Sequence, residues 1–200
     1  MTEAKPGGIL LCGIKHCGKS TIGALLGCRL GLPFIDLDRE TEAVHRRETG
    51  QALTVREMYR LLGGEGFMRY EAQAVRELAA SGQAAVVALG GGTPMNPGVR
   101  PEWLRGLGRV VLLDISPALA YRRVQAGGLP PFLASSADPE AEFLRLCRDR
   151  LAVYRRLAEV IHRIEAEGTP EQEADRVMAA LGSCPAPGAG GDRAGASNPP

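Results

Sequence analysis

The sequence predicts an α/β domain, a three-layer α/β/α sandwich built on a five-stranded parallel sheet. Three observations predict it. From residue 8 to residue 181, segments that read as strands alternate with segments that read as helices, the order that builds parallel sheets. The strand-like runs 8–12, 84–89 and 109–115 are close to continuously apolar, as strands covered on both faces are. Each Gly-rich or acidic motif follows the carboxyl end of such a run, where open parallel sheets bind ligands.

The first strand, 8–12, leads into Gly13-Ile14-Lys15-His16-Cys17-Gly18-Lys19-Ser20. This is G-x-x-x-x-G-K-S, a phosphate-binding loop between a strand and a helix. Gly13 and Gly18 permit backbone conformations closed to other residues and a close approach to phosphate. The N–H groups from Gly13 through Lys15, His16, Cys17, Gly18, Lys19, Ser20 and Thr21 then line an anion-binding concavity at a helix N-terminus. Lys19 supplies a full charge at the β/γ-phosphates of a nucleotide, and Ser20 offers a hydroxyl to Mg²⁺.

The first helix is expected over 19–30, with Ile22, Leu25, Leu26 and Leu30 at helical spacing and Gly31 as its stop. A second strand, 33–38, closes on Asp36 and Asp38. Helices follow over 39–47, ended by Gly50, and over 54–62 and 65–80, parted by Gly63-Gly64. The third strand, 84–89, ends in Gly90-Gly91-Gly92. A short helix over 97–107 takes Asn96 as its cap. The fourth strand, 109–115, is followed by a helix opening at Ser116-Pro117. Residues 127–139 form a loop of Gly, Pro, Ser and Ala. A long helix over 140–158, a fifth strand over 160–165 and a last helix over 170–181 complete the domain. Residues 182–200 are rich in Gly, Pro, Ala and Ser, and are expected to be a disordered tail.

The 200 residues suit one domain, and 44% hydrophobic residues suffice for a core. A net charge of +1 gives no sign of a nucleic-acid or membrane surface. The polar start and the lack of a long apolar run make the cytoplasm the expected location. The expected state is a monomer acting on small molecules. Five cysteines, Cys12, Cys17, Cys28, Cys147 and Cys184, show no zinc spacing. Cys17 lies near a helix N-terminus, where thiol pKa values fall; it reads either as an oxidation-sensitive thiol or as an ordinary loop residue.

If they share a strand, Asp36 and Asp38 point to opposite faces. One carboxylate then faces the metal beside the phosphate loop and the other faces an acceptor hydroxyl. Phosphoryl transfer asks for this: alignment, charge neutralisation and an oriented nucleophile. The alternative is that Asp38 caps the helix that follows.

The stretches GIKHCGKSTIG, FIDLD, GGEGFMRYEAQAV, LGGGTPMNPGVR, VVLLDIS and RDRLAVYRRLA resemble, in that order, those of the shikimate kinase family, phosphate-loop kinases of the nucleoside-monophosphate-kinase-like fold. The resemblance covers residues 8–181. It implies ATP, Mg²⁺ and transfer to the 3-hydroxyl of shikimate, a step of aromatic amino-acid biosynthesis. It implies that Asp36 holds the metal through water and that Asp38 anchors and deprotonates the acceptor hydroxyl. Gly91 would contact the acceptor, Arg150 its carboxylate, and Arg123 and Pro170 would flank the adenine. Two departures stand out. The family's G-F-R reads Gly66-Phe67-Met68 here, and Arg69, one helical step on, points about 100° away. The lid, whose family arginine meets the transferring phosphate, reads Leu129-Pro130-Pro131-Phe132-Leu133, with no Lys or Arg over 127–139. A kinase of the same family for another hydroxylated acceptor, or a nucleotide-binding module without turnover, are the other readings.

Overall fold

The computed structural model describes residues 7–129, 133 and 136–183. The five strands are β1 (Ile9–Cys12), β2 (Phe34–Asp36), β3 (Val86–Ala88), β4 (Arg109–Ile115) and β5 (Val160–Ile164). They form one sheet in the order β2-β3-β1-β4-β5, with every neighbouring pair parallel. Ile9 stands opposite Val86 on one side and Arg109 on the other, so β1 is the central strand. All four of its residues are buried. Since successive side chains point to opposite faces, both faces of the sheet are covered. Strand β5, at an edge, alternates instead: Val160, His162 and Ile164 are buried while Ile161 and Arg163 are exposed.

The described helices are α1 (Lys19–Leu30), α2 (Leu37–Thr49), α3 (Val55–Ser81), α4 (Pro101–Leu107), α5 (Pro117–Ala126), α6 (Pro139–Leu157) and α7 (Pro170–Ser183), with a 3₁₀ turn over Thr93–Met95. Their ends follow local chemistry. Thr54 and Glu57 form a reciprocal capping box at the start of α3. Ser116 and Asp138 cap α5 and α6. Within α3, Gly63 has φ 72° and ψ 179°, which breaks the helix into the two segments that Gly63-Gly64 predicts. Among the described residues no helix is long and apolar enough to cross a membrane.

The structure corrects three sequence expectations and decides between the two readings of Cys17. Strand β2 stops at Asp36, because the Asp36 carboxylate accepts from the Asp38 backbone N–H and caps α2; Asp38 therefore sits in the first turn of α2 and does not alternate with Asp36 on a strand. Asn96 does not cap a helix over 97–107. It is buried, its Oδ1 accepts from Gly98 N–H, and α4 begins only at Pro101. Cys17 is 1% exposed, packed beneath the loop, as a reactive thiol would not be. The expected tail begins inside α7, which runs through Gly182 to Ser183, where Arg109 Nη1 donates to the Leu181 carbonyl. Residues 184–200, like lid residues 130–132, lie outside the described residues.

Candidate active site

The parallel sheet brings the carboxyl ends of β2, β3 and β1 to one edge, side by side. From β1 the chain turns through Gly13, at φ 147°, and Gly18, at φ 97°, into α1. His16 also has a positive φ, 65°, an uncommon conformation for a residue with a side chain. Lys19 Nζ donates to the carbonyls of Gly13 at 2.9 Å and Ile14 at 3.2 Å, which fixes the ammonium within its own loop. Lys15 and His16 are exposed on the rim, and Thr21 follows in the first turn of α1. Burial, then Lys15, Lys19 and Arg123, pushes the His16 imidazole below its ordinary pKa.

Ser20 Oγ donates to Asp36 Oδ2 at 2.8 Å, while Asp36 Oδ1 takes the Asp38 N–H at 3.0 Å. One carboxylate thus ties the start of α1 to the start of α2. Ser20 and Asp36 together present a hydroxyl and a carboxylate oxygen beside the phosphate loop. That oxygen set fits Mg²⁺, which takes one or two protein ligands and fills the rest with phosphate and water. Burial, then the neighbouring Asp36, pushes the Asp38 carboxyl above its ordinary pKa, against the pull of Lys19, and Lys15 acts in the same direction as Lys19. The two phosphate-loop lysines and Asp38 are within electrostatic reach of one another.

Gly90 marks where three elements meet. A Cβ there would lie 3.0 Å from Glu71 Oε1 and Thr93 Oγ1, and 3.1 Å from Asp38 Oδ1. Glu71, buried in α3, accepts from Thr93 Oγ1 at 2.6 Å and Asn96 Nδ2 at 2.8 Å. Desolvation still leaves its carboxyl above the ordinary value. Next to it, a Cβ on Gly91 would lie 3.2 Å from Arg150 Nη1, and Tyr154 OH donates to the Gly91 carbonyl. Arg150 and Tyr154 are one turn apart on α6 and share a face. Among the described residues no carboxylate pairs with Arg150. The structure therefore brings Asp38, Gly91 and Arg150 close together, with Glu71 and Tyr154 beside them. Glu71 lies in a quoted motif, but sequence assigns it no role. Tyr154 likewise lies in one of those stretches, RDRLAVYRRLA, with no role assigned to it.

Arg123 is bound to Glu167, with Nη2 at 2.6 Å and Nε at 3.2 Å, and its Nη1 donates to the His16 carbonyl. With Thr21, Gly168 and Pro170 it lines a cavity behind the phosphate loop. Arg69, next to Met68, lays its guanidinium over the Tyr70 ring at 4.4 Å and lies near Glu48.

The family model for shikimate kinase matches residues 15–182. The shikimate kinase of Symbiobacterium thermophilum is 35% identical over 178 residues, 80% of this chain and 97% of that protein. That of Dechloromonas aromatica is 37% identical over 153 residues, 76% of this chain and 79% of that protein. Among solved structures, the shikimate kinase from Acinetobacter baumannii in complex with shikimate superposes with a TM-score of 0.75 at 28% identity, covering 89% of this chain and 94% of that one.

Proposed function

The chain belongs to the shikimate kinase family, and from that premise we propose that it transfers the γ-phosphoryl group of ATP to the 3-hydroxyl of shikimate. The observation that carries the assignment of roles is the Ser20–Asp36–Asp38 linkage. It fixes a candidate base in the first turn of α2, within the field of the phosphate-loop lysines.

In this reading the loop N–H groups and Lys19 hold the β- and γ-phosphates. Ser20 and Asp36 would hold Mg²⁺, which would supply charge neutralisation to the phosphates. Arg150 pairs with the shikimate carboxylate, and Gly91, kept in place by Tyr154, brings backbone against the ring. The acceptor hydroxyl lies against Asp38. As the new O–P bond forms and the bond to the β-phosphate oxygen breaks, the hydroxyl proton passes to the Asp38 carboxylate. The raised pKa of Asp38 makes that carboxylate a better proton acceptor than an exposed aspartate. Glu71 steadies Gly90 through Thr93. The adenine lies in the cavity of Arg123 and Pro170.

A coupled assay of ADP release, with and without shikimate, tests the reading. Shikimate-dependent release is expected. ATP binding with no release on shikimate, but release on another hydroxy acid, would move the acceptor assignment. The observation that favours such an acceptor is Met68, which leaves Arg150 as the cation that faces the acceptor carboxylate.

A further inference from the structure

The wall of the nucleotide cavity contains a buried ionisable pair that phosphoryl transfer does not use. His162 faces inward on β5, 8% exposed, and Glu173 lies in the first turn of α7, 4% exposed. Glu173 Oε2 meets His162 Nε2 at 2.5 Å, and its Oε1 takes Arg176 Nη1 at 2.8 Å. Burying such groups costs free energy, and apolar residues of the same size often serve stability equally well. Stability alone is therefore a weak reason for the pair.

Its surroundings supply another. A Cβ on Gly168 would lie 2.7 Å from Glu173 Oε1, so the backbone of the β5–α7 turn rests directly on the carboxylate. Gly168, Pro170 and Glu173 line the cavity together with Arg123. One residue before Gly168, Glu167 holds Arg123, which reaches the His16 carbonyl in the phosphate loop. Contacts therefore run unbroken from His162 through Glu173 and the turn to Arg123 and the phosphate loop.

We infer that Glu173, held by His162, is a positioning residue for the nucleotide: it sets the height of the turn over the cavity, and with it the Arg123–Glu167 pair that flanks the base. The inference rests on taking this cavity as the site of the ATP base. Steady-state kinetics of Glu173→Ala, Glu173→Gln, Gly168→Ala and Arg123→Ala, each with its melting temperature, test it. Glu173→Ala should raise the KM for ATP about tenfold, as small misplacements of positioning groups do, with kcat and the KM for shikimate changed less than about twofold. Glu173→Gln keeps an acceptor for His162 and should recover most of the loss. Gly168→Ala pushes on the same carboxylate and should raise the KM for ATP in the same way. If Glu173→Ala and Gly168→Ala lower the melting temperature but leave the KM for ATP unchanged while Arg123→Ala raises it, the pair only holds α7 on β5 and the inference is wrong. If Arg123→Ala also leaves that KM unchanged, the base lies elsewhere and both readings fall. Should Glu173→Ala not fold, Gly168→Ala decides alone.

Discussion

Lys19 and Asp38 carry the heaviest demands at the residue scale, and their removal should differ in its effect on stability. Lys19 donates to two carbonyls of its own loop and, in the proposed reading, to phosphate, so Lys19→Ala should leave the fold intact. A charged hydrogen bond to phosphate is worth roughly 1.5–3 kcal/mol in binding and more in the transition state; transfer should fall below detection in a coupled assay while circular dichroism stays unchanged. Wild-type turnover by folded Lys19→Ala protein would refute the phosphate-loop assignment. Asp38 is different because its site opposes its charge. Burial and Asp36 hold its pKa above the ordinary carboxylate value. A raised carboxyl binds its proton more tightly in the folded chain than in the unfolded one. Its contribution to stability is full below the ordinary carboxylate pKa and is lost as pH rises through the raised value. At neutral pH, then, Asp38→Asn should raise the melting temperature even as it lowers kcat by about 100-fold or more, the scale of a lost general base. In the unaltered enzyme, kcat/KM should drop on acidification with an apparent pKa above that of an exposed aspartate. A melting temperature that falls in Asp38→Asn would show that the carboxylate is better satisfied than its surroundings imply.

At the scale of elements, the sequence was most legible where one residue type decides an outcome. Lys19–Leu30 and Arg109–Ile115 match their expected bounds because Gly31 and the apolar run leave no alternative. The boundary between β2 and α2 was misread because Asp36 can continue a strand or cap a helix, and only the Asp38 N–H settles which. Asn96 was misread for a related reason: its amide serves Glu71, 25 residues away, and the Met68 carbonyl. Glu71 and Tyr154 were not legible as site residues, since their partners lie 22 and 63 residues off in sequence. The entry to the sheet shows how tightly elements meet. Gly108 has φ 140°, and a Cβ there would fall 1.9 Å from the Gly8 carbonyl oxygen, beside the bond from Arg109 N–H to that same oxygen. Backbone cannot yield as a side-chain tip can, so Gly108→Ala should destabilise by about 3 kcal/mol or more, in the range of strain at a special backbone position. Gly106, in α4, has open space around it; Gly106→Ala should be neutral or stabilise by up to about 1 kcal/mol through helix propensity. Urea denaturation of the two variants is the comparison, and equal stabilities would remove the steric argument.

On the scale of the whole molecule, the parallel sheet gathers at one edge groups that no single element could supply. The phosphate loop follows β1, Asp38 opens α2, Glu71 comes from α3, Gly91 follows β3, and Arg150 comes from α6. That assembly makes charge a property of the whole site. Arg123 is committed to Glu167 and Arg155 to Asp114. Arg69 has turned onto Tyr70. Residues 127–139 contain no Lys or Arg. In the proposed reading, Lys15, Lys19 and Arg150 are the cations set against a transferring phosphoryl group and an acceptor carboxylate. On that reading they divide by position: Arg150, beside Gly91, is assigned to the acceptor, and Lys15, on the loop rim, to the phosphoryl group. Met68→Arg would add a second cation for the carboxylate, and should lower the KM for shikimate by roughly 10-fold or more, the equivalent of about 1.5–3 kcal/mol for a charged hydrogen bond. Because that contact is equally strong in ground and transition states, kcat should hardly move. Lys15→Ala should do the reverse. Charge on the transferring group is redistributed in the transition state, so losing Lys15 should lower kcat more than it raises either KM. Full steady-state kinetics of both variants separates the two roles. A Lys15→Ala enzyme with unchanged kcat would mean that Lys19 and bound Mg²⁺ suffice without it. A Met68→Arg enzyme with no gain on shikimate, set beside turnover of a different hydroxy acid by the unaltered enzyme, would mean that the acceptor is not shikimate.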